Sequence, residues 1–413
     1  MRILMVSEDI PAKGMGGLAK HTLALSRSLR NLGHRVDVMG NNDFPADLIT
    51  SELPPGGRFF AELKRQFSGW KELQLGIFMP KKRNYIARGF AGAILKRADD
   101  YDVIHYHGHL PILANYIPHS INFVQTRHDQ GSDCLIHTRY RRGAICNETH
   151  PAACANCRSW KPNWIQKNIS AFTVKNYRNE VANGFMRHKT IFVSDFLQRN
   201  LARTIGAGKW GQTIHNFIES SSTQAARVSE GLILQNQPLR VFIAAKLYRA
   251  KGVSDFLDEI SPRLPKHIHI DIAGDGEDEN MLRERHRHPR IKFHGWQESK
   301  ITLAMAAYAH VIIVPSVCEE ACPTTVLEAL MLGKTTFALA LGGTPELTIY
   351  ASAASQLQLF DDMQKLVHAL INFQQKPDYL VAPSALADAD HAAAALIKIY
   401  QQPPGPLNMS CMN

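Results

Sequence analysis

The sequence predicts an α/β protein with two Rossmann-like domains, each built on a parallel sheet. Short β-branched segments alternate with helical segments along the 413 residues, and this alternation is typical of parallel sheets covered by helices on both faces. Ten β-branched segments fall into two groups of five, separated by a polar stretch at residues 220–237. A hydrophobic content of 45% is enough for two buried cores.

The pattern of apolar residues defines these segments. The predicted strands begin at Arg2, Arg35, Asp102, Asn122 and Thr190 in the first group, and at Arg240, His267, Arg290, His310 and Thr335 in the second. Between the first two strands, apolar residues from Leu18 to Leu32 recur at helical spacing and end at Gly33.

The domain boundaries follow from this grouping. We predict an N-terminal domain at 1–218, a C-terminal domain at 219–387, an Ala-rich helix at 388–402 and a disordered tail at 403–413, where three prolines follow within four residues. In open α/β sheets ligands bind beyond the carboxyl ends of the strands, so a cleft between the two sheets is the expected site.

Composition limits the class of protein. No apolar run reaches the roughly 18 residues of a membrane span, and Glu8 and Asp9 follow the first strand too soon for a secretory signal, so we expect a cytoplasmic location. In the cytosol the seven cysteines are expected as thiols or metal ligands. The net charge of +10 divides into +14 for residues 1–218 and −4 for 219–413. A basic half suits nucleic acid, anionic lipid or an anionic substrate.

Two glycines lie between the first strand and the first helix. Gly16 and Gly17 allow the backbone to close on a ligand at a helix N-terminus, where free amides favour phosphate. A dehydrogenase fingerprint is not indicated, because six residues separate Ser7 from Gly14, whereas the fingerprint opens directly at the end of the strand.

A more specific pattern occurs in the second half. The strand ending at Ser316 is followed by a loop that carries Glu320 and by a helix that carries Glu328, with seven residues between the two acids. The start of this helix is predicted to offer unpaired amides at Thr324, Thr325 and Val326.

This strand, loop and helix resemble the Glu-x7-Glu signature of the retaining glycosyltransferases of family 4, which have the GT-B fold. Other motifs of that family follow in the expected order. Lys246 and Lys251 resemble the two cations that hold the donor diphosphate in the family. The segment Gly274, Asp275 and Gly276 resembles the family's loop beside the nucleotide base. In the first half, Gly16 and Gly17 resemble the N-terminal glycine loop, and Asn216 resembles the hinge between the domains. Lys246 stands where arginine is usual, which removes the bidentate fork.

The third strand of the first group ends in a run of histidines. Alternation along the strand places His105, His107 and His109 on one face, and the position of Gly108 at the strand end favours His107 as the functional one. The resemblance implies a histidine here, beside the donor sugar and the acceptor. A structural role is expected for His105.

The resemblance implies transfer of a sugar, with retention at the anomeric carbon, from a nucleotide-sugar donor, with UDP as the expected base, to a glycan or lipid-linked acceptor bound by the N-terminal domain. It implies that Glu320 holds sugar hydroxyls, Glu328 holds the ribose, and Lys246, Lys251 and the helix amides stabilise the leaving diphosphate. The catalytic residues are then His107, Glu320 and Lys251. Without an Asp-x-Asp motif, no metal cofactor is expected for catalysis.

Two other classes of protein are compatible with some of the same residues. A nucleotide-sugar epimerase or another GT-B enzyme shares the fold. A zinc-containing nucleic-acid-binding protein would use the basic half, but the Glu-x7-Glu half has no use there, and we expect no nucleic-acid partner.

Two features of the N-terminal half each have two possible interpretations. Residues 58–97 contain ten Lys+Arg with Phe59, Phe60, Leu63, Phe67 and Trp70 interleaved, which suits either an interfacial segment on an anionic membrane or a solvated basic face. In a predicted insertion at about 128–160, Cys134, Cys146, Cys154 and Cys157 are either ligands of a structural zinc or reduced thiols.

Overall fold

The computed structural model describes residues 1–12, 16–64, 80–155, 157, 164–219, 238–374 and 387–407. Gly14, Phe67 and Trp70 therefore lie outside the described residues, as does the whole polar stretch at 220–237. The chain forms two compact units, and each is described by itself. The first contains Met1–Arg139, Asn147–His215 and Ala389–Asn413; the second contains Tyr140–Cys146 and Asn216–Asp388.

The described strands are β1 Arg2–Val6, β2 Arg35–Asn41, β3 Phe59–Leu63, β4 Val103–His107, β5 Phe123–Arg127, β6 Tyr140–Arg141, β7 Ala144–Ile145, β8 Lys189–Phe192, β9 Gln212–Thr213, β10 Leu239–Ala244, β11 Ile268–Ala273, β12 Ile291–Gly295, β13 Val311–Val314, β14 Thr335–Leu339 and β15 Leu357–Phe360. The described α-helices are Gly17–Asn31, Pro80–Leu95, Pro151–Ala155, Trp164–Arg187, Asp195–Ile205, Val253–Ile260, Glu279–Arg285, Ser299–Tyr308, Thr324–Met331, Met363–Ile371 and Ala389–Tyr400. Short 3-10 helices occur at Ala46–Glu52, Ala98–Asp100, Pro111–Tyr116, Gln130–Ser132, Arg249–Lys251, Ser261–Arg263 and Thr344–Tyr350.

The first unit is built on a seven-stranded sheet in the order β3-β2-β1-β4-β5-β8-β9. All of its strand pairs are parallel. Strands β1 and β4 are buried along most of their length, with Leu4 and Val6 packed into one of the apolar clusters on the sheet. Because β1, β4 and β5 are neighbours and parallel, the residues that follow them meet at one edge of the sheet.

The second unit is built on a six-stranded parallel sheet in the order β12-β11-β10-β13-β14-β15. Its core is formed by buried aliphatic residues of the central strands, such as Val241, Ile270 and Ile313, packed against the helix Val253–Ile260. The predicted fold class, two Rossmann-like domains with parallel sheets, is confirmed.

Three strands of the two parallel sheets were not predicted, and each of them lies at the edge of its sheet. Strand β3 covers Phe59–Leu63, β9 has only two residues, and β15 covers Leu357–Phe360. Edge strands are partly exposed, so their apolar pattern is weak. Phe60 of β3 lies under the guanidinium of Arg97, whose carbon is 3.7 Å from the ring centroid. Phe59, Phe60 and Leu63 therefore belong to an edge strand of the sheet, and the association of this segment with a membrane stays a prediction.

The C-terminal helix belongs to the first unit, although it follows the second unit in sequence. The helix Ala389–Tyr400 packs against the helix Gly17–Asn31, and the hydroxyl of Ser28 contacts the carboxylate of Asp390. Asn122 donates to the carbonyl of Tyr400 at 2.7 Å. Of the predicted disordered tail, residues 403–407 are among those described.

Candidate functional site

In the second unit, the predicted donor-binding residues lie in loops at the carboxyl ends of the sheet strands. The backbone of the loop after β11 packs directly on the chain after β10: the amide of Leu247 donates to the carbonyl of Asp275 at 2.7 Å. A Cβ on Gly276 would lie 2.2 Å from the carbonyl oxygen of Leu247, and one on Gly274 would lie 1.8 Å from that of Ala245. Glycine is needed at both positions for this close approach.

The loop after β13 meets the same region. Val317 and Cys318 both donate their amides to the carbonyl of Ala250, at 3.1 and 3.2 Å. Gly252 has a φ of +67° and lies so close that a Cβ would be 1.9 Å from the carbonyl oxygen of Pro315. The loops that follow β10 and β13 are thus held together through their backbones.

This packing brings Lys251 and Glu320 into a direct ion pair, although 69 positions separate them in the sequence. The hydroxyl of Ser316 donates to the same carboxylate oxygen at 2.8 Å. Burial disfavours a charged lysine here, but the adjacent carboxylate outweighs it and raises the pKa of Lys251 above its ordinary value. Lys251 therefore keeps its positive charge around neutral pH.

The helix Thr324–Met331 begins beside this ion pair in sequence, and its N-terminus differs from the prediction in one respect. The amide of Val326 donates to the carbonyl of Pro323 at 3.1 Å, so it is already used within the first turn. That leaves Thr324 and Thr325 as the residues whose amides can reach a ligand. Glu328 lies one turn further along the helix and is half-buried.

The remaining predicted donor-side residues are also placed. Lys246 follows β10 and is exposed, in contrast to Lys251. The side-chain amide of Asn216, the predicted hinge residue, donates to the carbonyl of Cys322 at 2.8 Å, within the same unit. A cavity of about 620 Å³ lies elsewhere in this unit, between β10 to β12 and the helix Ser299–Tyr308, and none of the predicted donor residues lines it.

In the first unit, the site is a cluster of histidines and acids at the carboxyl ends of β1, β4 and β5. His107 ends β4 and is fully buried; its Nδ1 lies 3.0 Å from Nε2 of His128, which follows β5. His21, from the helix Gly17–Asn31, has its ring centroid 4.7 Å from that of His128. Burial lowers the pKa of all three, to about 3 for His21 and well below the ordinary value for the others, so the rings are neutral.

Beside these neutral rings lies a charged group centred on His109. Its Nε2 is 3.1 Å from Asp9 and its Nδ1 is 3.2 Å from Asp129. Burial disfavours protonation, but the two carboxylates outweigh it and raise the pKa of His109 to about 10. The same carboxylate oxygen of Asp129 lies 3.3 Å from Nδ1 of His137.

Glu8 is a buried acid that the sequence analysis did not assign to the site. Its Oε1 accepts hydrogen bonds from the hydroxyl of Tyr106 at 2.8 Å and from the amide of His109 at 2.6 Å. Burial raises the pKa of this carboxyl. Its position directly after β1 was a signal that could have found it, because ligands bind beyond the carboxyl ends of parallel strands. His21 had no such signal, since it lies within a helix.

His105 has the structural environment that was expected. It is fully buried, with Nδ1 2.6 Å from the hydroxyl of Tyr400 and Nε2 2.7 Å from that of Thr126. Its ring stacks at a tilt on His107, with 4.0 Å between the centroids. The ring of His105 therefore packs against His107, the residue that is predicted to be functional.

The glycine loop is described only from Gly16 onward. Gly16 precedes the helix, Gly17 is its first residue, and both are exposed, with open space where a Cβ would be. Both glycines therefore lie at the start of this helix, where the prediction places a ligand.

The predicted cysteine site is not assembled among the described residues. Cys134, Cys154 and Cys157 belong to the first unit and Cys146 to the second. In the described part of the chain, the only sets of three potential ligand atoms within 4.8 Å of one another consist of histidines and one aspartate. The sulfur of Cys154 instead accepts from Arg178 at 3.2 Å. The zinc site at these cysteines stays a prediction.

Family comparisons match nearly the whole chain. The model described as Glycosyltransferase Family 4 matches residues 15–222, half of the sequence, and the model described as Glycosyl transferases group 1 matches residues 238–376. No curated protein matches the sequence.

Solved structures similar to the chain share its fold at low sequence identity. HepE from Anabaena in complex with UDP is 17% identical with a TM-score of 0.59 over 97% of this chain and 98% of that one. Sucrose-phosphate synthase from Thermosynechococcus elongatus is 17% identical with a TM-score of 0.65 over 97% and 99%. The apo form of the lipopolysaccharide outer core galactosyltransferase WaaB is 12% identical with a TM-score of 0.61 over 97% and 99%.

The two family matches follow one another along the chain in the same order as the two units. At sequence identities of 12 to 17% the solved structures show the fold alone, whereas the two family-model matches show the family. The protein belongs to the glycosyltransferases with the GT-B fold, with an N-terminal half of the kind described as Glycosyltransferase Family 4 and a C-terminal half of the kind described as Glycosyl transferases group 1.

Proposed function

We propose that this glycosyltransferase is a retaining enzyme of family 4 that transfers a hexosyl group from a UDP-sugar to a glycan or lipid-linked acceptor, in the biosynthesis of a cell-surface polysaccharide or lipopolysaccharide. The observation that carries the proposal is the ion pair of Lys251 and Glu320. Glu320 lies in the loop that leads to the start of the helix at Thr324. A cation, a carboxylate and free amides in one region are what a nucleotide diphosphate sugar requires.

Each group has a role in this proposal. Lys251, Lys246 and the amides of Thr324 and Thr325 stabilise the negative charge that develops on the diphosphate when the bond from the anomeric carbon to the phosphate oxygen breaks. Glu320 accepts hydrogen bonds from sugar hydroxyls. Because Lys251 is paired with Glu320, neither side chain is an uncompensated charge in the protein interior.

The reaction proposed is a front-face displacement. The acceptor oxygen forms a bond to the anomeric carbon on the face from which the diphosphate leaves, and its proton passes to the departing phosphate oxygen. No protein nucleophile is needed, and the cations and amides neutralise the diphosphate without a metal ion. Glu328 binds the ribose, and His107 orients the acceptor as a neutral imidazole, consistent with its lowered pKa, which results from burial.

The choice of donor and acceptor is supported by neighbours and by charge. HepE has been solved with UDP and with UDP-glucose, and WaaB is a lipopolysaccharide galactosyltransferase. The excess of cations in residues 1–218 suits an anionic acceptor or the surface of an anionic membrane. In the described residues no helix is long and apolar enough to span a membrane.

The donor is tested with a panel of nucleotide sugars. Binding is followed by thermal shift, and transfer to candidate lipid-linked acceptors is followed by mass spectrometry, with the anomeric configuration of donor and product compared by proton NMR. We expect one UDP-sugar to bind and to react with retention. Inversion, or preference for a nucleotide without a sugar, would contradict the proposal.

The site is tested with Lys251→Ala, which removes the cation facing the diphosphate. We expect turnover to fall at least about tenfold, equivalent to about 1.4 kcal/mol. The matched control is Lys266→Ala, since Lys266 is an exposed lysine of the same unit that precedes β11 and so lies at the opposite end of the strand. Equal activity of the two variants, with both folded, would refute the diphosphate role of Lys251.

Membrane association is tested separately by flotation with liposomes. If the basic half binds a membrane surface, the protein floats with anionic liposomes and not with neutral ones, and high salt releases it. Absence of binding to either kind would restrict the acceptor to soluble or independently presented glycans.

A further inference from the structure

The three neutral histidines of the first unit have the arrangement of a metal site. His21, His107 and His128 each offer one ring nitrogen, and these atoms lie within 4.8 Å of one another. Two nitrogens bound to one tetrahedral Zn²⁺ are about 3.3 Å apart, given bond lengths of about 2.0 to 2.1 Å. The separation of 3.0 Å between Nδ1 of His107 and Nε2 of His128 is close to that value.

Hydrogen bonding within the cluster does not account for the arrangement. If Nδ1 of His107 donates to His128, its Nε2 is a buried acceptor; if His128 donates, Nε2 of His107 is a buried donor. In either tautomer this nitrogen has no hydrogen-bond partner in the structure, and His107 is fully buried. A buried polar nitrogen without a partner destabilises the folded protein. The hydrogen bond between His107 and His128 therefore leaves part of the cluster unsatisfied, and a metal ion held between Nδ1 of His107 and Nε2 of His128 would replace that hydrogen bond by two coordinate bonds.

The fold holds the three ligands rigidly. His107 is the last residue of β4, His128 follows the neighbouring strand β5, and His21 lies in the second turn of the helix Gly17–Asn31. Strands β4 and β5 are paired in register, and the ring of His105 supports that of His107 from below. Preorganised imidazoles on regular elements favour a borderline divalent cation over Mg²⁺ or Ca²⁺, which prefer oxygen ligands.

We propose that His21, His107 and His128 bind one Zn²⁺ ion in the N-terminal unit. Three protein nitrogens leave a fourth position for water or a substrate oxygen, as in zinc sites that are not closed by a fourth side chain. The neighbouring carboxylate of Asp129 offsets part of the positive charge that the ion adds beside Arg127. The proposal leaves the diphosphate-binding groups of the second unit untouched, but it shares His107 with the proposed function, so the test below measures metal binding rather than sugar transfer.

The test is metal binding by the full-length protein, purified without a metal-affinity tag and treated with a chelator. We expect one Zn²⁺ per chain by titration calorimetry and elemental analysis, and visible absorption bands of Co²⁺ typical of a four- or five-coordinate site. His128→Asn and His21→Asn are each expected to weaken binding at least about tenfold, because each removes one of three ligands. Two variants guard against one that fails to fold, and folding is checked by circular dichroism.

Controls separate this site from two others. His137→Asn changes the adjacent group formed with His109 and Asp129 and should leave affinity for Zn²⁺ unchanged, as should Cys154→Ser in the cysteine-rich segment. The proposal is overturned if folded His128→Asn and His21→Asn bind Zn²⁺ as the unmodified protein does, if only His137→Asn or Cys154→Ser loses the ion, or if no saturable binding occurs.

Discussion

The hydroxyl of Tyr400, in the last turn of the C-terminal helix, lies 2.6 Å from Nδ1 of His105 in β4. Both residues are buried, and His105 in turn supports the ring of His107. The C-terminal helix Ala389–Tyr400 is therefore hydrogen-bonded to β4, the strand that carries the candidate acceptor-side residue His107.

We expect Tyr400→Phe to lower the free energy of unfolding by about 1 kcal/mol, because it leaves a buried ring nitrogen of His105 without its partner. Urea denaturation measures this. Tyr85→Phe is the matched control, since Tyr85 is 60% exposed and should change stability by less than about 0.5 kcal/mol. Equal effects in the two variants would show that the hydrogen bond to His105 does not contribute.

Replacing Glu320 should separate sugar binding from diphosphate binding. In Glu320→Gln the side chain keeps its size but loses the charge that pairs with Lys251. We expect the affinity for UDP to be kept or to increase, since Lys251 is released for the diphosphate, while turnover falls at least about tenfold. Calorimetry with UDP and a transfer assay measure the two effects. Glu298→Gln, at an exposed acid of the same unit, serves as control. A parallel loss of UDP affinity and turnover would contradict these separate roles.

Gly252 should not tolerate a side chain. It has a φ of +67°, and a Cβ would lie 1.9 Å from the carbonyl oxygen of Pro315, so Gly252→Ala must displace the backbone of the loop that carries Glu320. We expect a loss of stability of at least about 1 kcal/mol together with weaker donor binding. By contrast, Gly89→Ala lies in a helix with open space around it and should stabilise by about 0.5 to 1 kcal/mol. Unchanged stability of Gly252→Ala would mean that this backbone contact is absent.

His109 should make stability depend on alkaline pH. Its pKa of about 10 in the folded protein exceeds the ordinary value of 6.5, so its contribution to stability is complete below about pH 6.5 and is lost as the pH rises towards 10. We expect the free energy of unfolding to fall over that window, by at most about 1.4 kcal/mol per pH unit from this group. Denaturation curves from about pH 7 to 9.5 measure the slope.

The variant His109→Gln isolates this effect. It cannot take up a proton between Asp9 and Asp129, so its stability should depend less on pH than that of the unmodified protein over the same window. Lys189, whose pKa is lowered by burial to about 8, titrates there as well, but it is present in both proteins and cancels in the comparison. Identical slopes would show that His109 is not held in its charged form.

Much of the donor-side site could be predicted from the sequence. The spacing of Glu320 and Glu328, the position of Lys251 and the glycines at 274 and 276 are local features, because each motif lies in the loop, or the loop and helix start, that follows a buried strand. Parallel strands bring such loops to one edge whatever the details of packing, so the alternation of strands and helices was sufficient to place them in the same region.

The acceptor-side cluster could be predicted only in part. His107 was found from its place at a strand end, whereas His21 and His128 meet it because the sheet order places β1 beside β4 and β4 beside β5. Strand order depends on long-range packing, which no local pattern records.

The sequence by itself determined the fold class, the two parallel sheets and the identity of the donor-side motifs, because hydrophobic periodicity and glycine positions act over a few residues. The tertiary structure alone decided which charges meet: that Lys251 is paired with Glu320, that the amide of Val326 is used by Pro323, and that His109 is charged while His107 is neutral. Those outcomes depend on burial and on distances of a few ångströms between residues far apart in the chain, and electrostatic free energies change steeply over such distances.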